Sequence, residues 1–224
     1  LRNSRIAFFP LDIRRMLKNS FSRQIRLIPY KNLDAASLRE GANETADPRT
    51  LSKDGFCMRI QDMLLDLSSG PVISNVWNIY YNESSLQERI RFTLLHELGH
   101  VFLGHHQLLG IDSTAGMENL PQYREADIQA DQFSINALAP APAVARLLWE
   151  HGFSCMKNGL EWRITNRNAP FLRNLGQDPD PIQLIMTAFH ISRIAAATRL
   201  RELNSELQIW QQLDPELYAY IEKI

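Results

Sequence analysis

Residues 91–105 read RFTLLHELGHVFLGH, and this stretch decides how the rest of the chain is interpreted. Its apolar residues recur at helical spacing and predict a long helix from Leu86 to near Gly104. Two histidines four residues apart on a helix lie about 40° apart around its axis, so His96 and His100 can reach one tetrahedral ion. Glu97, about 100° from His96, can reach a water molecule at that ion without binding the ion. This H-E-x-x-H pattern predicts a bound Zn²⁺, with two histidine ligands and Glu97 as the general base of a hydrolase.

A catalytic zinc needs a third protein ligand and one open position for water. His106 lies ten residues after His96, as in the longer metzincin motif, but that motif needs glycine at position 103, where this chain has leucine. His105 and His106 are otherwise expected to form a polar helix end that suits the helix dipole. The remaining candidates are acids of a second predicted helix, Gln122–Leu138: Glu125, Asp127 and Asp131.

The same stretch resembles the ImmA/IrrE family of metallopeptidases, whose pattern is roughly R-F-T-x-x-H-E-L-G-H-x-x-L-G-H. After a loop the family shows E-x-E-A-N/D-x-F-A-x-x-L-L-x-P, and residues 127–140 read DIQADQFSINALAP. The segments WNIYYN (77–82) and FHISRIAAATRL (189–200) also resemble the family. The resemblance covers residues 55–140 well and 184–203 moderately, and it says little about 1–50 or 145–180.

The resemblance implies an α+β fold, namely a zincin-like metallopeptidase domain with a small sheet and an active-site helix. We expect this catalytic domain in residues 1–145 and a helical C-terminal region in residues 146–224. The implied function is a zinc-dependent endopeptidase of the cytoplasm. Its implied partner is a protein substrate, a helix-turn-helix repressor whose cleavage derepresses genes of a phage, a mobile element or a stress response.

One departure from the family pattern concerns the third ligand. The family's ligand is glutamate, and the matching position here is Asp127, which is one methylene shorter, so the two helices must approach more closely or the metal is bound less well. Glu125 lies about 200° around the helix from Asp127 and should face away. Asp131 shares the face of Asp127 and is predicted to accept a proton from a ligand imidazole, the alternative being a solvated acid or an arginine salt bridge. Because of this departure, an alternative function is a zinc-binding regulatory protein of the same fold with weak or no proteolytic activity.

Composition and charge exclude several classes of protein. Hydrophobic residues make up 45% of the 224 residues, which excludes disorder over most of the chain. The sequence contains no run of 18 apolar residues, so no membrane span is predicted. The net charge of −1 makes direct nucleic-acid binding an unfavoured function, although residues 1–31 carry eight basic residues against one aspartate, a net +7. That segment is expected to be a solvated face that pairs with acids, the alternative being a docking patch for DNA, RNA or an acidic partner. Cys57 and Cys155 are expected to be reduced thiols, and no signal peptide is predicted.

The remaining expectations concern local structure. Val76–Tyr81 is predicted to be a strand and is a candidate edge strand for pairing with an extended substrate, the alternative being that Tyr80 and Tyr81 serve only core and surface packing. Gly55–Ile60 and Met63–Leu67 are expected to be two short strands or a hairpin, and Ser84 or Ser85 is expected to cap the long helix. Gln107–Leu120 is predicted to be a loop. No residue is identified as the oxyanion stabiliser, for which His190 or a tyrosine could serve.

Overall fold

The structure, a computed structural model, describes residues 12–21, 24–31, 54–66, 70–115, 121–151, 153–155, 162–164 and 180–213. Two compact units divide the chain, one spanning Asp12–Ser134 and the other including everything from Ile135 onward. The expected domain division at residue 145 stays a prediction. The sequence also predicts a polar loop at residues 41–48 and a short helix that begins at Pro215, and both lie outside the described residues.

The described residues form an α+β fold, as predicted. In chain order the elements are α1 (Ile13–Ser20), β1 (Ile25–Tyr30), β2 (Gly55–Asp66), β3 (Gly70–Asn82), α2 (Gln87–Phe102), α3 (His105–Leu109), α4 (Pro121–Leu138), α5 (Ala141–Glu150), β4 (Phe153–Cys155), β5 (Trp162–Ile164), α6 (Pro181–Phe189) and α7 (Arg193–Leu213). Within these residues, no helix combines the length and the apolar character that crossing a bilayer requires.

A three-stranded sheet in the order β1-β3-β2 is the centre of the first unit. β1 runs parallel to β3 and β2 runs antiparallel to it. The prediction that Val76–Tyr81 is an edge strand is therefore wrong, because β3 has a hydrogen-bonded neighbour on each side. The two expected short strands are one continuous strand, β2. Its polar interruption is accommodated at the surface, where Gln61 is exposed and Asp62 forms an ion pair with Arg26 at 2.5 Å.

Helix α2 packs against β2 and β3 through a buried face that includes Leu94, Leu95 and Leu98. The expected serine cap is absent, since Leu86 is the N-cap residue and makes no side-chain cap hydrogen bond. Instead the backbone N–H of Ser84 donates to Asn82 Oδ1 at 2.9 Å. Such an Asx turn closes the connection from β3 without needing a hydroxyl at the helix start.

The chain turns sharply between α2 and α3 at Gly104, whose φ of 71° lies in the left-handed region. Glycine adopts this conformation without the steric cost that a Cβ imposes. The turn places His105 and His106 in the interior, where they are 2% and 1% exposed. The expectation that they form a polar helix end is therefore wrong, and so is the expectation of an uninterrupted loop from Gln107.

The described basic residues of the segment 1–31 mostly have partners in the first unit. Arg26 pairs with Asp62, and Lys31 lies 3.6 Å from Glu83. The Arg14 guanidinium lies 5.3 Å from the centre of the Tyr81 ring.

The second unit is mainly helical. Pro142 lies in the first turn of α5, where a missing N–H costs nothing. Ser192 caps the N-terminus of α7, where its Oγ accepts from the Ala195 N–H at 3.2 Å. Arg199 is almost wholly buried, donates to the Ala139 carbonyl and pairs with Glu206.

His190, one candidate oxyanion stabiliser, ends α6 in the left-handed conformation, with a φ of 52°. Its position is that of a helix C-cap in the second unit.

Candidate metal centre

Three side chains from α2 and α4 bring one ligand atom each to a common point. His96 Nε2 lies 3.1 Å from His100 Nε2 and 3.2 Å from Asp127 Oδ1, and His100 Nε2 lies 3.9 Å from the same oxygen. Ligands at 2.0–2.1 Å from a tetrahedral zinc lie about 3.3 Å from one another. Two of the three separations match that length closely and the third is longer. His96, His100 and Asp127 thus form a group that could hold a metal ion.

The other nitrogen of each of these two histidines has a protein partner. His96 Nδ1 lies 2.8 Å from Asp131 Oδ1, the contact predicted from the sequence. His100 Nδ1 lies 2.9 Å from His105 Nδ1, and His105 Nε2 lies 3.1 Å from Gln129 Oε1. A histidine that offers Nε2 to a metal carries its proton on Nδ1, so His100 would donate to His105, which in turn would donate to Gln129. The order of partners, ending at the Gln129 Oε1 acceptor, is therefore compatible with metal binding through His100 Nε2.

The short side chain of Asp127 requires close packing of α2 against α4. A Cβ built on Gly99 would lie 3.1 Å from Ala130 Cα and 3.2 Å from the Phe133 ring. Two helices can approach this closely only where one of them lacks a side chain. Gly99 thus provides the close approach that the aspartate was expected to need.

Glu97 is 4% exposed and lies in the same cleft as the ligand group. Thr114 Oγ1 donates to Glu97 Oε2 at 3.0 Å, and it also accepts from the Cys57 backbone N–H at 2.9 Å. The sequence did not indicate Thr114, which belongs to a segment that was expected to be loop. This segment is held along the outer edge of β2, where the Thr114 N–H donates to the Cys57 carbonyl at 3.0 Å and the Arg59 N–H donates to the Asp112 carbonyl at 2.7 Å.

Burial and mutual contact shift the pKa values of the group. Burial raises the pKa of Glu97, and the neighbouring His96 opposes this. Burial alone would lower the pKa of His96, but hydrogen bonds to Asp127 and Asp131 outweigh it and raise the pKa to about 10. Burial lowers the pKa of His100 to about 3, assisted by the positive charge of His96. Without a metal, His96 is therefore protonated on both nitrogens, with its Nε2–H directed to Asp127 and its Nδ1–H to Asp131, while His100 stays neutral.

A cleft of about 240 Å³ opens onto the ligand group. Its lining includes residues of β2, α2, the Thr114 segment and α4: Gly55, Phe92, Thr93, Glu97, Thr114 and Tyr123.

Tyr123 was not singled out in the sequence. It is 3% exposed, and its hydroxyl lies 3.0 Å from His100 Nε2. Burial raises the pKa of Tyr123, with Glu97 as the next cause.

The two alternative third ligands lie elsewhere. His106 Nε2 contacts Cys57 Sγ at 3.1 Å and His106 Nδ1 lies 3.2 Å from the Ile111 carbonyl oxygen, so both of its nitrogens have protein neighbours. Glu125 is exposed on α4, which begins at Pro121, before this residue. Neither residue belongs to the metal-binding group found among the described residues.

Comparison with known proteins identifies the family of this chain. Searches of curated proteins and of solved structures gave no match. The sequence model of the IrrE N-terminal-like domain, a peptidase family of the M78 type, matches residues 56–201. That range contains the strands β2 and β3, the helix with the H-E-x-x-H pattern and the helix with Asp127. Because the match covers more than half of the chain, the protein belongs to the IrrE N-terminal-like family of metallopeptidases.

Proposed function

We propose that this protein is a zinc-dependent endopeptidase with a zincin-like catalytic unit, in which His96, His100 and Asp127 bind the metal. The observation that carries the proposal is the convergence of two Nε2 atoms and one carboxylate oxygen, with two of their three separations close to those around a tetrahedral zinc ion. Two nitrogens and one oxygen are a donor set typical of catalytic zinc, which leaves one position open. Zinc held there would activate a water molecule and polarise the scissile carbonyl group.

Glu97 is the proposed general base. Its carboxylate takes a proton from the attacking water and later gives a proton to the leaving amine. A pKa raised by burial suits this role, because it brings the carboxylate closer to the pH at which it must accept and donate a proton. The hydrogen bond from Thr114 fixes the carboxylate orientation. Asp131 orients His96 through Nδ1, the ring nitrogen that does not face the proposed metal position.

The experiment compares the purified chain with Glu97→Gln, using a pooled decapeptide library read by mass spectrometry. Glu97→Gln should keep zinc and lose cleavage by about 10²–10⁴-fold, the usual contribution of a general base. Glu88→Gln, an exposed substitution on the same helix, is the matched control and should cleave at the wild-type rate. Equal rates for the wild type and Glu97→Gln would contradict the mechanism. Zinc binding without cleavage by the wild type would favour the regulatory alternative.

The proposed substrate is a helix-turn-helix repressor, and the cytoplasm is the proposed location. Both rest on the resemblance to the ImmA/IrrE family. An extended substrate would have to lie outside the segment 112–114, since this segment already occupies the outer edge of β2 beside the cleft. Incubation with each repressor encoded beside this gene, followed by intact-mass analysis, tests the substrate. If the library peptides are cleaved but the repressors stay intact, the proposed substrate is wrong and the proposed peptidase activity is retained.

A further inference from the structure

Tyr123 lines the cleft, and its hydroxyl contacts a proposed ligand atom although Tyr123 is neither a proposed ligand nor the proposed base. It lies on the first turn of α4, four residues before Asp127, so both side chains share one face of the helix. Its ring stacks on that of His100, with ring centres 5.1 Å apart and planes within 8° of parallel. A buried ring stacked in this way has little freedom, so the hydroxyl position is well defined.

The hydroxyl lies beside the proposed metal-binding group. It lies 3.0 Å from His100 Nε2, close to the distance of about 3.3 Å that separates adjacent ligands around a tetrahedral zinc. Once Nε2 gives its lone pair to a metal, it can no longer accept the phenol proton. The O–H group is then available to an oxygen atom of a molecule bound in the cleft that Tyr123 lines.

We propose that Tyr123 is a catalytic residue whose hydroxyl donates a hydrogen bond to the oxygen of the scissile carbonyl as negative charge develops there. This proposal rests on the proposed peptidase function. Water oxygen forms a bond to the carbonyl carbon, the C=O π electrons move to the carbonyl oxygen, and Glu97 takes the water proton. Tyr123 keeps its own proton throughout. When the C=O bond reforms, the C–N bond breaks and Glu97 gives the proton to the amine.

Two other roles would leave different signatures. A packing role would need only the ring, which Tyr123→Phe retains. A ligand role would need the oxygen for metal affinity, and the separation between the hydroxyl and His100 Nε2 is compatible with that role too. Preformed donors of this kind typically contribute about 10²–10³-fold to kcat. The three roles therefore differ in whether zinc affinity, kcat or neither depends on the hydroxyl.

The experiment measures zinc affinity by competition titration, together with kcat and KM on a peptide from the library, for the wild type, Tyr123→Phe and Tyr81→Phe. Tyr81 is a buried tyrosine of β3 outside the cleft, so its variant controls for the loss of a hydroxyl from a buried tyrosine. We expect Tyr123→Phe to keep zinc affinity and KM and to lower kcat by about 10²–10³-fold. An unchanged kcat would overturn the proposal in favour of packing. A large loss of zinc affinity would overturn it in favour of a ligand role.

A second measurement separates this proposal from the proposed function. N-phosphoryl-leucinamide offers a tetrahedral phosphoryl group, and its affinity for the zinc-loaded proteins can be measured without any cleavage. We expect Tyr123→Phe to bind it at least tenfold more weakly than the wild type and Tyr81→Phe to bind it equally well. If the wild type cleaves no peptide, the proposed function fails. The role of Tyr123 as donor is then supported by weaker binding of this probe to Tyr123→Phe, and overturned by equal binding.

Discussion

Two pairs of histidines lie within the eleven residues 96–106, and only one pair belongs to the metal-binding group found among the described residues. His96 and His100 on α2 direct Nε2 to a common point with a carboxylate oxygen. His105 and His106 at the start of α3 are just as buried, yet their described nitrogen contacts are with protein groups: His100, Gln129, Cys57 and the Ile111 carbonyl. The difference teaches that the number of histidines in a segment does not define a metal site. The deciding feature is whether each ring leaves one nitrogen facing a shared point.

The largest expected effect is the contrast between one member of each pair. His100→Ala removes a proposed ligand and should lower zinc affinity by much more than the about 10–100-fold that loss of an orienting partner costs. His106→Ala removes a contact with Cys57 and should leave zinc affinity within a few fold. Elemental analysis of protein purified without added metal, with competition titrations, checks both. Equal zinc content in the two variants would remove the distinction between the pairs.

The next largest effect on zinc affinity is expected at Asp127, the carboxylate of the metal-binding group. Asp127→Ala should lower zinc affinity strongly, whereas Glu125→Ala should change it little because Glu125 is exposed on α4. Asp127→Glu should keep zinc, since it restores the longer side chain of the family pattern. Competition titrations on the three variants provide the measurement. Loss of zinc in Glu125→Ala but not in Asp127→Ala would show that α4 presents a different face to α2.

An intermediate effect should come from His105, which links the two pairs. His105→Leu leaves the Nδ1–H of His100 without its acceptor and should cost about 10–100-fold in zinc affinity. His105→Asn offers an amide oxygen near the position of the lost Nδ1 and should recover part of that loss. The comparison is made by zinc competition, with circular dichroism confirming that both variants fold. Identical affinities for the two variants would mean that His105 only fills space.

The smallest expected effect is a pH dependence of zinc binding. Hydrogen bonds to Asp127 and Asp131 raise the pKa of His96 to about 10, so the metal-free protein holds this proton at neutral pH. Zinc must displace it, and affinity should rise about tenfold per pH unit between pH 7 and pH 9. Calorimetry in two buffers of different ionisation enthalpy counts the protons released. A count of zero at pH 8 would contradict the proposed protonation of His96.

Local patterns in the sequence predicted the parts of the site that lie within one element. The i, i+4 spacing of His96 and His100 and the helical face shared by Asp127 and Asp131 require only the geometry of a helix. Interactions between elements were not predictable in this way. Thr114 reaches Glu97 because its segment pairs with the edge of β2, and Tyr123 reaches His100 because α4 packs against α2. The central position of β3 was missed for the same reason, since strand order depends on partners distant in sequence.

The close approach of α2 and α4 at Gly99 has a consequence for how sequence variants of this protein are judged. Asp127 lies on a helix whose Ala130 Cα would be only 3.1 Å from a Cβ at Gly99. An alanine at position 99 would require its neighbours on α4 to shift by a few tenths of an ångström, while every chemical group of the H-E-x-x-H pattern stays intact. A search by motif would not detect that change. The spacing between the two backbones is thus a heritable property of the enzyme, as consequential as its reactive side chains.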